Sequence, residues 1–235
     1  ALRPPRGATC QLEARGARSS DADDAAAGRR DRSRVCGRAM GQWCEHALLC
    51  KCGPARLRPH RALAGVLARE LRDCGAEVDL ERVVPDLSNL SAEDPEKRDA
   101  VLDIVANFPG SYTINYVDVS IRCPHAARYT RAADVPGSAA AKAAEEKRER
   151  YGPRVLPLVF ESYGRLGLDG RRALETLALH ASATMRDQWA VQRLVPRWHA
   201  CLERAVTFAT AEIVLLALGS RAQNLFGRKC EFSEA

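Results

Sequence analysis

A chain of 235 residues can bury a sizeable core, and we expect one domain with appendages. The formal net charge of +6, carried by arginine far more than by lysine, favours a phosphate-rich partner, although an arginine bias of the genome explains it equally well. No apolar run reaches the length of a membrane span, which excludes a membrane protein and predicts a soluble, intracellular one.

The N-terminal segment is poor in residues that can be buried. Residues 1–34 consist largely of Arg, Ala, Gly, Asp and Ser, so we predict a disordered basic tail or a linker. A basic arm that follows a nucleic acid backbone is one interpretation, but a solvated tail is favoured because several aspartates dilute the charge. The first residue is Ala, which indicates a fragment or a processed product.

Cysteines and histidines cluster after this segment. Nine cysteines with no secretory signal before them suit a reducing compartment and metal binding better than disulfides. Residues 35–60 are predicted to form a Cys/His knuckle in which Cys36, Cys44, His46 and Cys50 bind zinc, because thiolates and imidazole at short spacing are ligands of a tetrahedral zinc ion. The alternative is that these thiols pack as small apolar groups without a metal.

A helix and a strand come next. Apolar residues recur at helical spacing over residues 60–74, which predicts a helix. Glu70 lies at the edge of its apolar stripe, which predicts a solvated or ion-paired side chain. The alternation of residues 77–84 predicts a half-buried strand, and residues 85–97 predict a polar loop.

Two aspartates and a lysine lie at positions of predicted strands and a helix that we expect to be buried. Asp103 interrupts a short apolar run that predicts a buried strand, and Asp118 lies in a second strand, residues 114–121, paired with the first through a Pro-Gly turn. Residues 139–151 predict a helix in which Lys147 shares the alanine stripe that faces the sheet. We therefore expect the three side chains to meet at one edge of the sheet.

Charges gathered in this way form either a set of ion pairs or a cation site, because an unpaired buried carboxylate is costly. Carboxylate oxygens suit a hard divalent ion such as Mg²⁺, while a nearby ammonium orients the attacking water and neutralises a phosphate. With Asp103 and Asp118 as ligands of one or two Mg²⁺ ions and Lys147 beside them, the pattern indicates a site of phosphodiester hydrolysis.

The remaining elements complete an α/β fold. Residues 155–161 are an apolar strand, and the helical crossover into it predicts parallel pairing with the strand before. We expect an αβββαβ core with a mixed sheet in residues 61–168, and a C-terminal helical extension in residues 169–235. Arg122 shares the face of Asp118 and is a candidate phosphate contact.

These residues resemble the PD-(D/E)xK restriction-like endonuclease superfamily, and more closely the restriction-like endonuclease at the C-terminus of non-LTR retrotransposon proteins. The similarity covers about residues 36–168 and rests on Leu102-Asp103, on Val117-Asp118-Val119-Ser120 and on Lys147-Arg148-Glu149-Arg150-Tyr151. In that family one acid on the second strand, one on the third, and a lysine on the next helix before an aromatic residue form the catalytic site. A Cys-Cys-His-Cys knuckle lies just upstream of the nuclease.

The resemblance implies a restriction-endonuclease-like core and a magnesium-dependent DNA endonuclease that nicks target DNA to prime reverse transcription. Asp103, Asp118 and Lys147 would be catalytic, with Tyr151 as an accessory residue. The implied partners are DNA and the RNA of the element, with a reverse transcriptase domain upstream in a parent protein. The implied location is the nucleus, and zinc is the implied ligand of the knuckle.

The same similarity suggests further contacts with DNA. Arg58 and His60 match an Arg-His pair before the first helix, where His60 is a phosphate contact, a helix cap or a metal ligand. Glu70 occupies a position where related nucleases sometimes supply an acid. Glu161 and Arg165 either line the substrate groove or brace a turn at the end of the last strand.

Two other hypotheses stay open. Leu102 stands where the family has a proline, Ser120 stands where it has a strand lysine, and the paired cysteines of the knuckle are degraded. The missing proline and the degraded knuckle favour a decayed or domesticated element that binds nucleic acid without cleaving it, whereas the intact Asp103, Asp118 and Lys147 oppose it. The third hypothesis is an ion-paired core in an unrelated α/β domain. A separation of more than about 8 Å between Lys147 and both aspartates would support it.

Overall fold

The computed structural model describes residues 7–12, 36–42, 44–51, 57–88, 99–132 and 135–219. The chain divides into two compact units, a larger one of residues 58–209 and a smaller one of residues 1–57 with 210–235. Two sequence-based predictions, the tail over residues 13–34 and the loop over residues 89–97, lie outside the described residues.

Helices and strands follow one another in the order expected for an α/β chain. They are, in chain order, α1 (Glu45–Leu49), α2 (Arg58–Asp73), β1 (Glu77–Val84), α3 (Pro85–Ser88), β2 (Ala100–Asn107), β3 (Ile114–Arg122), a 3₁₀ helix (Ala127–Ala132), α4 (Ser138–Tyr151), β4 (Val155–Glu161), α5 (Leu168–Met185) and α6 (Ala190–Ala217). The first part of the predicted polar loop is therefore the short helix α3. Residues 190–209 of α6 belong to the larger unit and residues 210–217 to the smaller.

The strands form a single four-stranded sheet in the order β1-β2-β3-β4. Strands β1, β2 and β3 are antiparallel neighbours, and β4 is parallel to β3. The parallel pair is connected through α4, as a crossover requires, because parallel strands cannot be joined by a tight turn. The predicted α/β fold with a mixed sheet and C-terminal helices is confirmed.

One face of the sheet carries the main core of the larger unit. Its apolar side chains come from alternate positions of β2, β3 and β4, and they pack against α2, α5 and α6; the largest of them that are fully buried are Leu63, Leu67, Leu71, Ile104, Phe108, Leu158, Phe160, Leu174 and Trp198. Burying each such side chain contributes on the order of 2 kcal/mol. This core fixes the position of the sheet, and the aspartates described below lie on the other face.

Helix α4 covers the opposite face. Its alanines Ala140, Ala143 and Ala144 pack on Val159 of β4, and their small side chains let the helix approach the strand closely. At the end of the helix, Tyr151 packs with apolar residues of the sheet, including Leu102, Val105, Tyr116 and Val155. Any polar residue on this stripe of α4 is thereby brought against β3 and β4.

Strand β1 is more exposed than its alternating sequence predicts. Only Val84 is buried in it, whereas Leu80 and Val83 are nearly half exposed. The strand lies at one edge of the sheet, with β2 as its neighbour on one side. Glu81 has a positive φ of 52° and interrupts the pairing with β2 at the point opposite Asp103.

The smaller unit contains a cluster of buried residues that includes Cys10, Met40, Cys44, Ala47 and Cys50. The prediction of disorder over residues 1–34 is wrong for residues 7–12. These residues run antiparallel to residues 36–40, with the N–H of Cys10 donating to Arg38 O at 2.8 Å and the N–H of Gly37 donating to Cys10 O at 2.9 Å.

Within the described part of the chain, no helix combines the length and the apolar character that crossing a membrane requires.

Candidate functional site

The two aspartates lie where the ladder between β2 and β3 ends. Pairing is regular from Asn107 opposite Ile114 to Ile104 opposite Val117, and one step further Asp103 would face Asp118. Instead of a backbone pair, the N–H of Val119 donates to Asp103 Oδ2 at 2.6 Å. The carboxylate of Asp103 thus takes the place of a backbone acceptor in the gap between the strands.

Strand alternation places both acids on the face that α4 covers. Asp103 is two residues from Val105 in β2, and Asp118 is two residues from Tyr116 in β3, so each acid shares a face of the sheet with that residue. Val105 and Tyr116 belong to the same apolar cluster as Tyr151 of α4. The carboxyl groups of Asp103 and Asp118 lie close enough for each to affect the pKa of the other. Asp118 is 6% exposed, so one of the two acids is almost entirely removed from water.

Lys147 reaches the same place from α4. It lies one helical turn beyond Ala143 and Ala144 on the stripe that packs on the sheet, and its Nζ forms an ion pair with Asp118 Oδ2. Only 13% of the lysine side chain is exposed. The structure therefore brings together the three residues that the sequence singles out.

Burial and hydrogen bonding shift the pKa values of the two aspartates in opposite directions. Burial raises the pKa of Asp118 to about 6, although the ammonium of Lys147 lowers it, and the hydrogen bond with Asp103 raises it further. Burial also works to raise the pKa of Asp103, but hydrogen bonds with His60, Asp118 and the N–H of Val119 outweigh it and hold that pKa below its ordinary value. Because the two carboxyls interact, they titrate as a pair.

His60 completes the charged cluster from the first turn of α2. Its Nε2 lies 3.1 Å from Asp103 Oδ1, and this hydrogen bond raises the pKa of His60, although partial burial opposes the shift. The sequence suggested a phosphate contact, a helix cap or a metal ligand at this position. The structure instead makes it the partner of an acid, which no local pattern indicates.

The donor set at the two acids fits a hard divalent ion. Carboxylate oxygens are the ligands that Mg²⁺ prefers, and two adjacent carboxyls, of which Asp118 has a raised pKa, form an environment in which a divalent ion relieves repulsion. Asp103 and Asp118 are the residues that would hold it, and Lys147 stands beside them. The arrangement can bind a divalent ion and a phosphate oxygen at one point.

Tyr151 forms an apolar wall of the site. It is 8% exposed, and burial together with the charge of Asp118 raises the pKa of its phenol, against the effect of Arg150. Tyr151 belongs to a cluster of buried apolar residues that includes Val105 and Val155. Its place beside the acids agrees with an accessory role, but its contacts are those of a packed core residue.

Glu70 lies near the opposite end of α2 from His60 and has an arginine as its partner. It is buried and pairs with Arg197 of α6 at 3.0 Å. Ten residues separate it from His60 along α2, which is about 15 Å of helix. The alternative of an ion-paired glutamate is the one observed.

Arg122, Glu161 and Arg165 gather at the carboxyl ends of β3 and β4. Arg122 is the register partner of Glu161, whose Oε2 lies 3.8 Å from Arg165 Nε. The N–H of Ser162 donates to Arg122 O at 2.9 Å, and the N–H of Glu161 donates to Arg165 O at 2.7 Å. Arg122 is four residues from Asp118, about 13 Å along the strand.

The turn after β4 is closely packed. Gly164 has a φ of +92°, and a Cβ built there would lie 2.8 Å from Thr207 Oγ1. The positive φ of Gly164 and the backbone hydrogen bonds of Glu161 and Ser162 favour a role for Glu161 in bracing the turn over a role in lining a substrate groove. The side chain of Arg165 is 56% exposed. Arg58, at the start of α2, is exposed as well.

A second cluster of ligating side chains lies in the smaller unit. Ligand atoms of Cys10, Cys36, His46 and Cys50 all lie within 4.8 Å of one another. Cys36 Sγ is 3.2 Å from His46 Nε2, and Cys10 Sγ is 3.9 Å from Cys50 Sγ. Three thiols and one imidazole are a fitting donor set for tetrahedral zinc.

This cluster corrects the predicted ligand set, because Cys10 belongs to it and Cys44 does not. Cys44 caps the N-terminal end of α1 with a φ of 57°, and burial raises the pKa of its thiol. Its spacing from His46 is too short for both to reach one ion from the same turn. Cys10 was missed because 26 positions separate it from Cys36 and the segment around it suggested disorder.

The chain matches no protein-family model and no curated protein sequence.

Proposed function

We propose that the chain is a magnesium-dependent DNA endonuclease derived from a non-LTR retrotransposon. The observation that supports this most is the convergence of Asp103, Asp118 and Lys147 on one point of the sheet, with the lysine in direct contact with Asp118. An unrelated ion-paired core predicts no such convergence of two acids, one of which has a raised pKa. The retrotransposon origin rests on the similarity of the motifs and of the order of elements.

In this proposal each residue of the site has a role in hydrolysis of a phosphodiester. Asp103 and Asp118 would hold the ion, and Tyr151 keeps bulk water from the buried side. A bound Mg²⁺ would lower the pKa of the attacking water and offset the charge that develops on the phosphate. Lys147 turns from Asp118 toward the substrate, where it donates to the water or to a phosphate oxygen.

The smaller unit and the arginines would hold the nucleic acid. We propose that Cys10, Cys36, His46 and Cys50 bind one zinc ion, which would fix residues 7–12 against the segment around α1. The net charge of +6 and exposed Arg58 and Arg165 favour a phosphate backbone as partner. Target DNA, element RNA, an upstream reverse transcriptase domain and a nuclear location belong to the same proposal.

Nicking of supercoiled plasmid DNA tests the proposal. Wild-type protein is expected to convert supercoiled to open circular DNA with Mg²⁺ and not without it, and Asp118→Ala is expected to lose this activity. Lys142→Met is a matched control, because Lys142 lies exposed on the same helix. Wild-type protein without metal-dependent nicking would end the claim of an endonuclease.

A second candidate is a domesticated or decayed element that binds nucleic acid without cleaving it. The observation that favours it is that both acids are already satisfied, Asp103 by His60 and Val119 and Asp118 by Lys147. Binding of plasmid DNA without nicking, unchanged in Asp118→Ala, would support this candidate over the first.

A further inference from the structure

His60 contacts an acid of the proposed site but has no part in the chemistry described above. Its Nε2 lies 3.1 Å from Asp103 Oδ1. The histidine is in the first turn of α2 and the acid in the middle of β2, so the contact joins two distant parts of the larger unit. With 33% of the imidazole side chain and 16% of the aspartate side chain exposed, the ring shields one side of the carboxylate.

The carboxylate of Asp103 is held at both oxygens. Oδ2 accepts the N–H of Val119 at 2.6 Å, while Oδ1 faces His60. The terminal torsion of an aspartate has a broad minimum, so a single donor leaves the carboxylate free to turn, and two donors from different directions fix its plane. Carboxylates that bind metal ions in proteins are oriented in this way by partners outside the coordination shell.

We propose that His60 is a positioning residue that holds Asp103 in the orientation in which it binds a divalent ion. Each carboxylate oxygen has two lone pairs, so an oxygen that accepts one hydrogen bond still has a lone pair for the ion. Without the imidazole, Asp103 is free to turn toward Asp118 and loses that orientation. The inference rests on the proposed function, because it takes Asp103 as an ion ligand, but its test measures binding of the ion rather than cleavage.

The test is Mn²⁺ binding to the full chain, followed by electron paramagnetic resonance of the free ion, with Asp103→Asn defining the site. His60→Ala is expected to weaken binding about 10- to 100-fold, the usual effect of removing such a partner. His60→Gln should keep most of the affinity, since its amide nitrogen lies near the place of Nε2. His60→Asn should not, because its amide nitrogen corresponds to Nδ1. Arg61→Ala, an exposed neighbour, serves as a control.

Several results would overturn the inference. Unchanged affinity in His60→Ala and His60→Asn would mean that the contact does not orient Asp103, and tighter binding would mean that the ring blocks the ion. Weaker DNA binding with unchanged Mn²⁺ binding would return His60 to the role of a DNA contact. The inference would also be overturned if wild-type protein bound no Mn²⁺, or if Asp103→Asn did not remove the Mn²⁺ site.

Failure of the proposed function gives a different result. A wild-type protein that binds Mn²⁺ at Asp103 and loses this affinity in His60→Ala, yet does not nick DNA, rejects cleavage and supports the positioning role. Circular dichroism of each variant shows whether it folds. If His60→Ala does not fold, the comparison of His60→Gln with His60→Asn decides.

Discussion

Replacing Asp118 by asparagine removes a buried negative charge and the partner of Lys147 while keeping the size of the side chain, and we expect the stability of the variant relative to wild type to rise with pH in the metal-free protein. Folding raises the pKa of Asp118 from an ordinary value of 3.8 to about 6, mainly through burial. A shift of this size corresponds to roughly 3 kcal/mol between the two protonation states.

The sign follows from the direction of the shift. Because the folded protein binds the proton of Asp118 more tightly than the unfolded chain does, the stabilisation is complete below pH 3.8 and is lost as the pH rises through about 6. The loss of the partner of Lys147 adds a contribution to the difference in stability between variant and wild type that does not depend on the charge of Asp118. The free energy of unfolding of Asp118→Asn minus that of wild type should therefore increase by roughly 2–3 kcal/mol between pH 4 and pH 8, whatever its value at pH 4.

Urea unfolding in divalent-free buffer between pH 4 and 8 measures this difference. The fluorescence of buried Trp198 reports on the core of the larger unit. A difference of the same size at pH 4.5 and pH 8 would refute the reasoning, because it would show that Asp118 titrates alike in the folded and unfolded protein. Adding Mg²⁺ at about ten times its Kd should stabilise wild type by about 1.4 kcal/mol and leave Asp118→Asn unchanged.

Three further predictions concern single residues. Lys147→Met should lower the nicking rate by a factor on the order of 10² to 10⁴ while Mn²⁺ binding remains, and equal losses in the exposed-lysine control Lys142→Met would contradict it. Cys10→Ser should lose the zinc that elemental analysis finds in wild type, whereas Cys44→Ser should keep it; the opposite pattern would restore the ligand set expected from sequence. Gly164→Ala should destabilise the protein by about 1–3 kcal/mol in urea unfolding, because of its positive φ and the clash of a Cβ, and an unchanged midpoint would contradict that packing.

Much of the sheet and of the acid cluster follows from local sequence patterns. The apolar runs around Asp103 and Asp118 give the strands, and the alanine stripe of α4 places Lys147 on the side of the helix that meets the sheet. Periodicity in each element states which face is buried. It was sufficient here because the three residues lie on neighbouring elements joined by a hairpin and one crossover.

The features that were missed depend on contacts between distant segments. Cys10 joins a ligand cluster across residues 13–35, and the imidazole of His60 meets Asp103 from a helix that precedes the sheet. Glu70 and Arg197 pair between α2 and α6. The segment around Cys10 shows no periodicity at all, and the periodicity of α2 does not say which group lies opposite His60 or Glu70.

The exposed character of β1 was missed for a related reason. Alternation in a strand predicts one buried face only if another element covers that face. Leu80 and Val83 belong to an edge strand and remain nearly half exposed.

The most direct test of the site is the position of a divalent ion in crystals of the full chain grown with Mn²⁺. An anomalous difference map is expected to show one peak at about 2.1–2.2 Å from carboxylate oxygens of both Asp103 and Asp118, with the Nζ of Lys147 withdrawn from Asp118. A map with no peak between the two acids, while the ion pair with Lys147 stays in place at saturating Mn²⁺, would contradict a metal-dependent nuclease and leave an ion-paired α/β core.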